Sequence, residues 1–97
     1  MEFEWDEDKR QAVLEERGLD LLYAARIFNG FVAVRIDIRH DYGEERRVAL
    51  GVIEGEAYYV VYTERDGLTR LITAWKGGRS GKRKYQASLA RRDQSDA

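Results

Sequence analysis

The chain has 97 residues, no cysteine, one histidine and a formal net charge of −1. This length suits one small domain with one core, and the lack of cysteine excludes disulfides, thiolate chemistry and cysteine-rich zinc sites. No apolar run approaches the roughly 20 residues that span a bilayer, and the acidic start MEFEWDEDKR is unlike a basic leader, so we expect one cytoplasmic domain over residues 1–97.

Two short helices are predicted near the N-terminus. Asp6 is a favoured N-cap and Gly18 a favoured residue just past a helix end, so the helix formers between them predict a helix over Glu7–Arg17. Asp20 begins a second helix over residues 21–28, where apolar side chains recur at helical spacing. We expect the two helices to form a hairpin after a strand-like FEW segment.

Four strands are predicted to follow as an antiparallel meander. In FVAVRIDIR, strict alternation places Val32, Val34, Ile36 and Ile38 on one side, which predicts a half-buried strand. The polar segment HDYGEE reads as a loop. The remaining strands are RRVALGVI, AYYVVYT and an alternating LTRLITAW, separated by hairpin turns at Glu54-Gly55-Glu56 and Asp66-Gly67.

The apolar pattern stops after Lys76. Glycines at positions 77, 78 and 81 lower helix propensity, so only a short helix over residues 82–91 is expected, followed by a frayed tail over residues 93–97. The fold class is therefore α+β. Two N-terminal helices pack on one face of a four-stranded antiparallel sheet, or a five-stranded one if FEW joins it, with a short C-terminal helix.

Charge is distributed unevenly along the chain. Residues 1–20 carry eight acids and three bases, whereas Arg70 to Arg92 contains eight bases and no acid. Trp75 and Tyr85 lie among these bases. Cations that bind phosphate, beside rings that can stack on bases, are typical of a surface for single-stranded nucleic acid. The alternative is a solvated basic face that the acidic N-terminal helix balances.

Few other groups suggest chemistry. His40 is followed by Asp41, which could orient its imidazole for acid–base work, although a surface loop is the commoner setting for such a pair. A single histidine and dispersed carboxylates argue against a metal site. The GGRSG segment lacks the ending of a phosphate-binding loop, and we expect no cofactor.

Five segments in order resemble the BrnT family of type II toxin–antitoxin toxins: FEWDEDKRQAVLEERGLDL, AARIF, RHDYGEERRVALG, VVYTERDG and RLITA. The resemblance implies a RelE-like fold and a small ribonuclease that inhibits translation by cutting RNA without a metal. It also implies a BrnA-like antitoxin whose ribbon-helix-helix part binds operator DNA, so that DNA is contacted only through the antitoxin. No membrane partner is implied.

The chain departs from the family pattern in two places. The pattern Asn-x-x-Lys-His-Gly corresponds here to VLEERG, with Val13 for asparagine and Arg17 for histidine. The pattern Ser-Ala-Arg corresponds to Thr73-Ala74-Trp75, and a carboxylate expected later is Gly81. The change from arginine to Trp75 removes a permanent cation and a bidentate phosphate donor.

These observations support three hypotheses about the function of the protein. The first is a ribonuclease toxin, with catalytic candidates His40, Arg65, Lys76, Arg79 and Tyr85 and RNA-binding candidates Arg70, Trp75, Lys82, Arg83 and Lys84. The second is a catalytically impaired homologue that binds an antitoxin and modulates repression, which the substitutions at positions 13, 17, 75 and 81 suggest. The third is an RNA-binding module without catalysis.

Overall fold

Five strands and three α-helices form an α+β fold over the residues that the computed structural model describes, 1–39 and 41–95, with the backbone alone for residues 93–95. The elements are β1 (Phe3–Trp5), α1 (Glu7–Arg17), α2 (Leu21–Ala24), a 3₁₀ helix (Ala25–Asn29), β2 (Ala33–Ile36), β3 (Arg47–Ile53), β4 (Glu56–Arg65), β5 (Leu68–Lys76) and α3 (Gly78–Ser95).

Helix α1 begins and ends where its capping residues predict. The Asp6 carboxylate accepts a hydrogen bond from the Asp8 amide at 2.9 Å. Gly18 adopts φ +64°, the left-handed conformation that glycine takes without a Cβ clash, and its amide donates to the Leu14 carbonyl. The predicted bounds, Glu7–Arg17, are confirmed.

An ion pair connects the second helical segment to the first. Arg10 of α1 donates from Nε and Nη2 to the two carboxylate oxygens of Asp20, at 2.9 and 2.8 Å. Asp20 also accepts the Leu22 amide at 2.9 Å as the N-cap of α2. Its hydrogen bond with Arg10 lowers the pKa of Asp20, so the cap is ionised at neutral pH. The predicted second helix is present as α2 and the 3₁₀ helix that continues it.

The sheet has five strands in the order β1-β5-β4-β3-β2. Strands β2 to β5 form the predicted antiparallel meander. Strand β1 adds to the free edge of β5 in parallel, with Phe3 opposite Thr69 and Trp5 opposite Leu71. The alternative in which FEW joins the sheet is therefore the one present, and the wholly antiparallel four-stranded sheet is a wrong prediction. Three residues are too few to show a periodicity, so they could not reveal the partner or direction of β1.

A β-bulge in β5 breaks the strict alternation predicted for that strand. The pairing with β4 shifts after Val61, so that Tyr62 lies opposite Leu71 and Ile72 is the additional residue. Leu71 and Ala74 consequently both belong to the buried core, although alternation assigned them to opposite faces. An extra residue of this kind depends on the neighbouring strand, which the sequence of β5 alone does not show.

Strand β2 is shorter than predicted, and most of its apolar side lies outside the core. Val34 and Ile36 are each 47% exposed and Ile38 is 85% exposed, whereas Asp37 is buried. The half-buried strand over residues 31–39 is thus a wrong prediction in length and orientation. The 3₁₀ helix packs on β3 and leaves edge strand β2 largely uncovered, and Arg39 compensates the burial of Asp37 by forming hydrogen bonds with it.

Helices cover both faces of the sheet, not one face as predicted. On the first face, α2 and the 3₁₀ helix pack on a core that includes Tyr58 and Val60 of β4. Helix α3 lies on the second face, where Gly81 approaches Ala57 and Tyr59, which alternate with the first pair along the strand. A Cβ at Gly77, the residue just before α3, would lie 3.1 Å from the Ala57 Cβ, so glycine at this position permits the close packing.

Helix α3 is longer than the predicted 82–91. It spans Gly78–Ser95, so its backbone includes two of the three glycines and continues into the predicted tail. Packing against β4 and β3 outweighs the low local propensity. Residues 96 and 97, the end of the predicted tail, lie outside the described residues.

We predict that Gly51→Ala destabilises the fold because the 3₁₀ helix crosses β3 at this glycine. A Cβ at position 51 would overlap the Ile27 side chain and lie 2.9 Å from its Cγ2. We expect the free energy of unfolding to fall by about 1–3 kcal/mol in urea denaturation. Gly30→Ala is the control, because nothing lies within 4 Å of the added Cβ. Equal losses of unfolding free energy in the two variants would contradict this packing.

Candidate functional site

A cleft of about 630 Å³ lies between α1, strand β5 and the loop that follows β2. Helix α1 contributes one stripe of residues at helical spacing, β5 contributes two residues near its end, and the loop contributes a guanidinium and a phenol. The lining residues are Lys9, Ala12, Val13, Glu16, Arg17, Arg39, Tyr42, Thr73 and Trp75.

The indole of Trp75 organises the inner wall of the cleft. Its ring stacks on Tyr59 with centroids 5.4 Å apart and an interplanar angle of 23°. The guanidinium carbons of Arg39 and Arg17 lie 5.5 and 6.0 Å from the Trp75 centroid. These distances are within the range of cation–π attraction, so one aromatic ring holds two cations from distant parts of the sequence.

Arg17 links the end of α1 to β5. Its Nη1 donates to Thr73 Oγ1 and to the Ala74 carbonyl oxygen, both at 2.8 Å. Among the described residues these hydrogen bonds use Nη1 alone, which leaves Nε and Nη2 for a ligand. Arg17 is therefore held in place and can still bind an anion.

Arg39 is held by a buried carboxylate. Its Nε and Nη2 donate to the two oxygens of Asp37, each at 2.8 Å, in a bidentate ion pair. Asp37 also accepts the Arg39 amide at 3.2 Å and the Tyr42 hydroxyl at 3.3 Å. The hydrogen bond from the Arg39 side chain is the main cause of a strongly lowered pKa of Asp37, and the same bond raises the pKa of Arg39. Both groups are therefore ionised at neutral pH.

The balance of charge in the cleft favours an anion. Three cationic side chains, Lys9, Arg17 and Arg39, line it together with one carboxylate, Glu16. Thr73 adds a hydroxyl group. Guanidinium groups fixed on an aromatic wall are suited to bind phosphate oxygens. Glu16 is the one carboxylate among the residues that line the cleft.

Two cations predicted to bind phosphate, Arg65 and Arg70, form ion pairs elsewhere. Arg65, at the end of β4, donates to Glu44 at 3.0 Å. Arg70 lies 3.5 Å from Glu4 of the neighbouring strand β1. Each of these cations has a carboxylate partner at the protein surface, and neither lines the cleft.

The predicted catalytic residues do not converge on one point of the sheet. Arg65 is opposite Leu68 at one end of the β4–β5 hairpin, whereas Lys76 is at the other end of β5. Eight residues of strand separate the two ends, which is roughly 25 Å. Arg65 and Lys76 therefore cannot hold the same phosphate. Trp75 is the predicted residue that lies in the cleft.

The predicted residues of α3 form a separate surface. The side chains of Arg79, Lys82, Arg83 and Lys84 are exposed on this helix. Tyr85 is half-buried, its hydroxyl donates to the Phe31 carbonyl oxygen at 3.0 Å, and its ring lies 5.7 Å from that of Phe31. Its contacts thus anchor α3 to the segment before β2. His40 lies outside the described residues.

Reasoning from the sequence missed Lys9, Glu16, Arg39 and Tyr42, and it considered Arg17 only as a departure from a pattern. The spacing of residues 9, 12, 13, 16 and 17 shows that they share one side of α1. No local signal indicates that β5 and the loop after β2 face that side. The cleft arises from tertiary packing, so its composition is visible only once the sheet order is known.

Two features of the described residues concern metals and membranes. No group of three or more His, Cys, Asp and Glu side chains comes together in the described part of the chain. No helix there is long and apolar enough to cross a bilayer. The expectations of a cofactor-free protein and of a cytoplasmic location stay predictions.

A cationic cleft on a small α+β domain is typical of proteins that bind phosphate-bearing ligands. The family described as ribonuclease toxin, BrnT, of type II toxin–antitoxin systems matches residues 5–80. The chain therefore belongs to this family, as its sequence segments indicate, and the family works with a protein antitoxin. No curated protein matches the chain.

The part of the chain that matches the family contains the whole cleft. All residues that line the cleft fall within positions 5–80, whereas most of α3 follows the matched region. Val13, Arg17 and Trp75 depart from the family pattern and line this one cleft together with Glu16, which stands where the pattern has lysine. Gly81, the remaining departure, lies outside the cleft in α3, so most but not all of the substitutions alter a single surface.

We predict that Asp37→Asn makes the fold less stable at neutral pH and reduces its sensitivity to acid. The folded-state pKa of Asp37 is lowered, so its ion pair stabilises the fold fully above the ordinary carboxyl pKa of about 4. That contribution is lost as the pH falls through the folded-state value. In urea denaturation the variant should be the less stable protein at pH 7, and the difference should shrink below pH 4.

Glu64→Gln is the control for this pH experiment, since it removes one negative charge from an exposed position of β4. A difference between wild type and Asp37→Asn that stays constant from pH 7 to the acid limit of folding would contradict the assigned ion pair. The assigned ion pair would also be contradicted if Glu64→Gln reproduced the behaviour of Asp37→Asn.

Proposed function

We propose that the cleft is the active site of a metal-independent endoribonuclease, which inhibits translation by cutting RNA and is neutralised by a BrnA-like antitoxin. The observation that carries this proposal is the set of cations fixed around Trp75 and facing one carboxylate. It supports RNA as the substrate because phosphodiesters need cationic partners and because RNA brings its own nucleophile, the ribose 2′-hydroxyl.

The proposed reaction is an internal transfer at phosphorus. Glu16 accepts the proton of the 2′-hydroxyl, whose oxygen then forms a bond to the adjacent phosphorus. The bond from phosphorus to the 5′ oxygen breaks, and that oxygen takes a proton from the Lys9 ammonium. The products are a 2′,3′-cyclic phosphate and a free 5′-hydroxyl, so no water or metal is consumed in this step.

Arg17 and Arg39 are the proposed phosphate clamp. Negative charge develops on the phosphate oxygens in the transition state, and fixed guanidinium groups can stabilise it without reorganising. Asp37 and Thr73 act on the reaction through these arginines, as positioning residues. Trp75 is a positioning residue as well, because its ring stacks on Tyr59 and lies within cation–π distance of both guanidinium groups.

Antitoxin binding is expected to protect the host by excluding RNA. The chain contributes cationic surfaces that acidic or apolar antitoxin segments could cover. In this proposal the antitoxin alone contacts operator DNA through its ribbon-helix-helix part. The toxin enters the repressor complex only as its bound partner.

We predict that Arg17→Ala lowers the rate of RNA cleavage on the order of 10²-fold, because it removes a donor to the transition-state charge. Cleavage is followed in EDTA with a labelled RNA, and the end groups of the products are identified. Arg79→Ala, an exposed cation of α3 outside the cleft, is the matched control and should retain activity. Loss of activity in Arg79→Ala but not in Arg17→Ala would relocate the site to α3.

A second candidate function is an inactive toxin homologue that binds antitoxin and modulates repression. It is supported by the concentration of departures at positions 13, 16, 17 and 75 in the cleft. In this case the wild type would cut no RNA and would still form the antitoxin complex.

We predict for this second candidate that the double variant Arg17→His and Trp75→Arg gains cleavage, because it restores the imidazole and arginine of the family pattern. Val13→Ala is the control for a general change in the cleft. Measurable cleavage by the wild type that the double variant lowers would exclude the second candidate.

A further inference from the structure

A second cavity lies beneath α3, on the side of the sheet opposite α2 and the 3₁₀ helix. Its volume is about 370 Å³, and it is bounded by α3 and by strands β2, β3 and β4. The lining residues are Ala33, Val34, Arg35, Val48, Leu50, Tyr59, Lys84, Ala87, Ser88 and Arg91. We refer to this set as the α3 groove.

The α3 groove has an apolar floor and a cationic rim. Val48 and Leu50 of β3 are buried and form part of the floor. Arg35 of β2 faces Lys84 and Arg91 of α3 across it, and no carboxylate is among the lining residues. Its complement is therefore a ligand with both apolar groups and negative charges.

Strand β2 extends this groove along the edge of the sheet. It is the last strand in the sheet order, so no strand pairs with its outer side within the described part of the chain. Val34 lines the groove, and both it and Ile36 are 47% exposed. An edge strand with exposed apolar side chains can accept another strand through main-chain hydrogen bonds.

These features favour a peptide over RNA. Val48, Leu50 and Ala33 offer no donors to a phosphate chain, and a ribose-phosphate backbone gains little from contact with them. The aromatic ring in the groove, Tyr59, already stacks on Trp75, which reduces its use for base stacking. A peptide strand beside β2 can place carboxylates at the rim and apolar side chains beside Val34 and Ile36 on the opposite face of the sheet.

We propose that the α3 groove and the outer edge of β2 bind an extended segment of the antitoxin in which apolar residues alternate with Asp or Glu. This rests on the proposed function, because it takes the antitoxin as the occupant. Period-two alternation suits an added strand, since it directs the acidic side chains to the groove face, where Arg35 lies, and the apolar ones to the opposite face, beside Val34 and Ile36. The antitoxin would thus hold the toxin at a surface separate from the cleft.

Two stacked rings connect the groove to the cleft, so binding in the groove can be followed by tryptophan fluorescence. Tyr59 lines the groove, Trp75 lines the cleft, and the two rings are stacked. An occupant that contacts Tyr59 changes the surroundings of the Trp75 indole. The chain has two tryptophans, so Trp5→Phe makes Trp75 the sole source of tryptophan emission.

Two labelled peptides with the same alternating valines, one with Glu and one with Lys between them, test the proposal in the Trp5→Phe background. Binding is measured by fluorescence anisotropy, and a labelled oligouridylate is titrated in parallel. We expect the Glu peptide to bind about tenfold or more tightly than the Lys peptide and to shift Trp75 emission. Lys84→Glu should lower the affinity for the Glu peptide by a similar factor.

Arg83→Glu is the matched control, because it reverses a charge on the same exposed helix outside the groove. Equal affinity for the two peptides, equal losses in Lys84→Glu and Arg83→Glu, or tighter competition by oligouridylate than by the Glu peptide would each overturn the proposal. Circular dichroism establishes that both variants fold. The titration needs no RNA cleavage, so an inactive nuclease with a selective groove would refute the proposed reaction alone.

Discussion

The bidentate ion pair between Asp37 and Arg39 is the contact on which the shape of the site depends. It follows directly after β2, and the buried Asp37 carboxylate fixes the loop that continues towards β3. A buried carboxylate would destabilise the fold without this partner. Because the pair holds Arg39 above Trp75 and accepts the Tyr42 hydroxyl, it brings one wall of the cleft against β5.

Elements with local signals could be predicted from the sequence. The bounds of α1 follow from Asp6 and Gly18, and the β4–β5 hairpin follows from Asp66-Gly67, where both residues have positive φ values. In such cases the atoms that set the conformation lie within a few residues of one another. The structure has these elements where the sequence predicts them.

Features that depend on distant partners could not be predicted in the same way. The parallel pairing of β1 and the bulge at Ile72 each depend on a neighbouring strand remote in sequence. The cleft is a further case, since Arg17 of α1 and Arg39 of the loop after β2 converge on Trp75 of β5. The sequence-based prediction favoured the basic run near the C-terminus, because cations are dense there. It missed the cations of the cleft, which are far apart in the sequence but close together in space.

The substitutions in the cleft are best understood together. Trp75 lacks the cation of the arginine that the family pattern places there, while Arg17 supplies a cation where the pattern has histidine. Arg17 reaches the same point, because it bonds Thr73 and the Ala74 carbonyl and lies over the Trp75 ring. In the proposed reaction this arrangement keeps a cation for the phosphate, whereas an imidazole able to transfer protons is missing from this position. The same proposal therefore assigns the role of proton acceptor to Glu16, the one carboxylate among the residues that line the cleft.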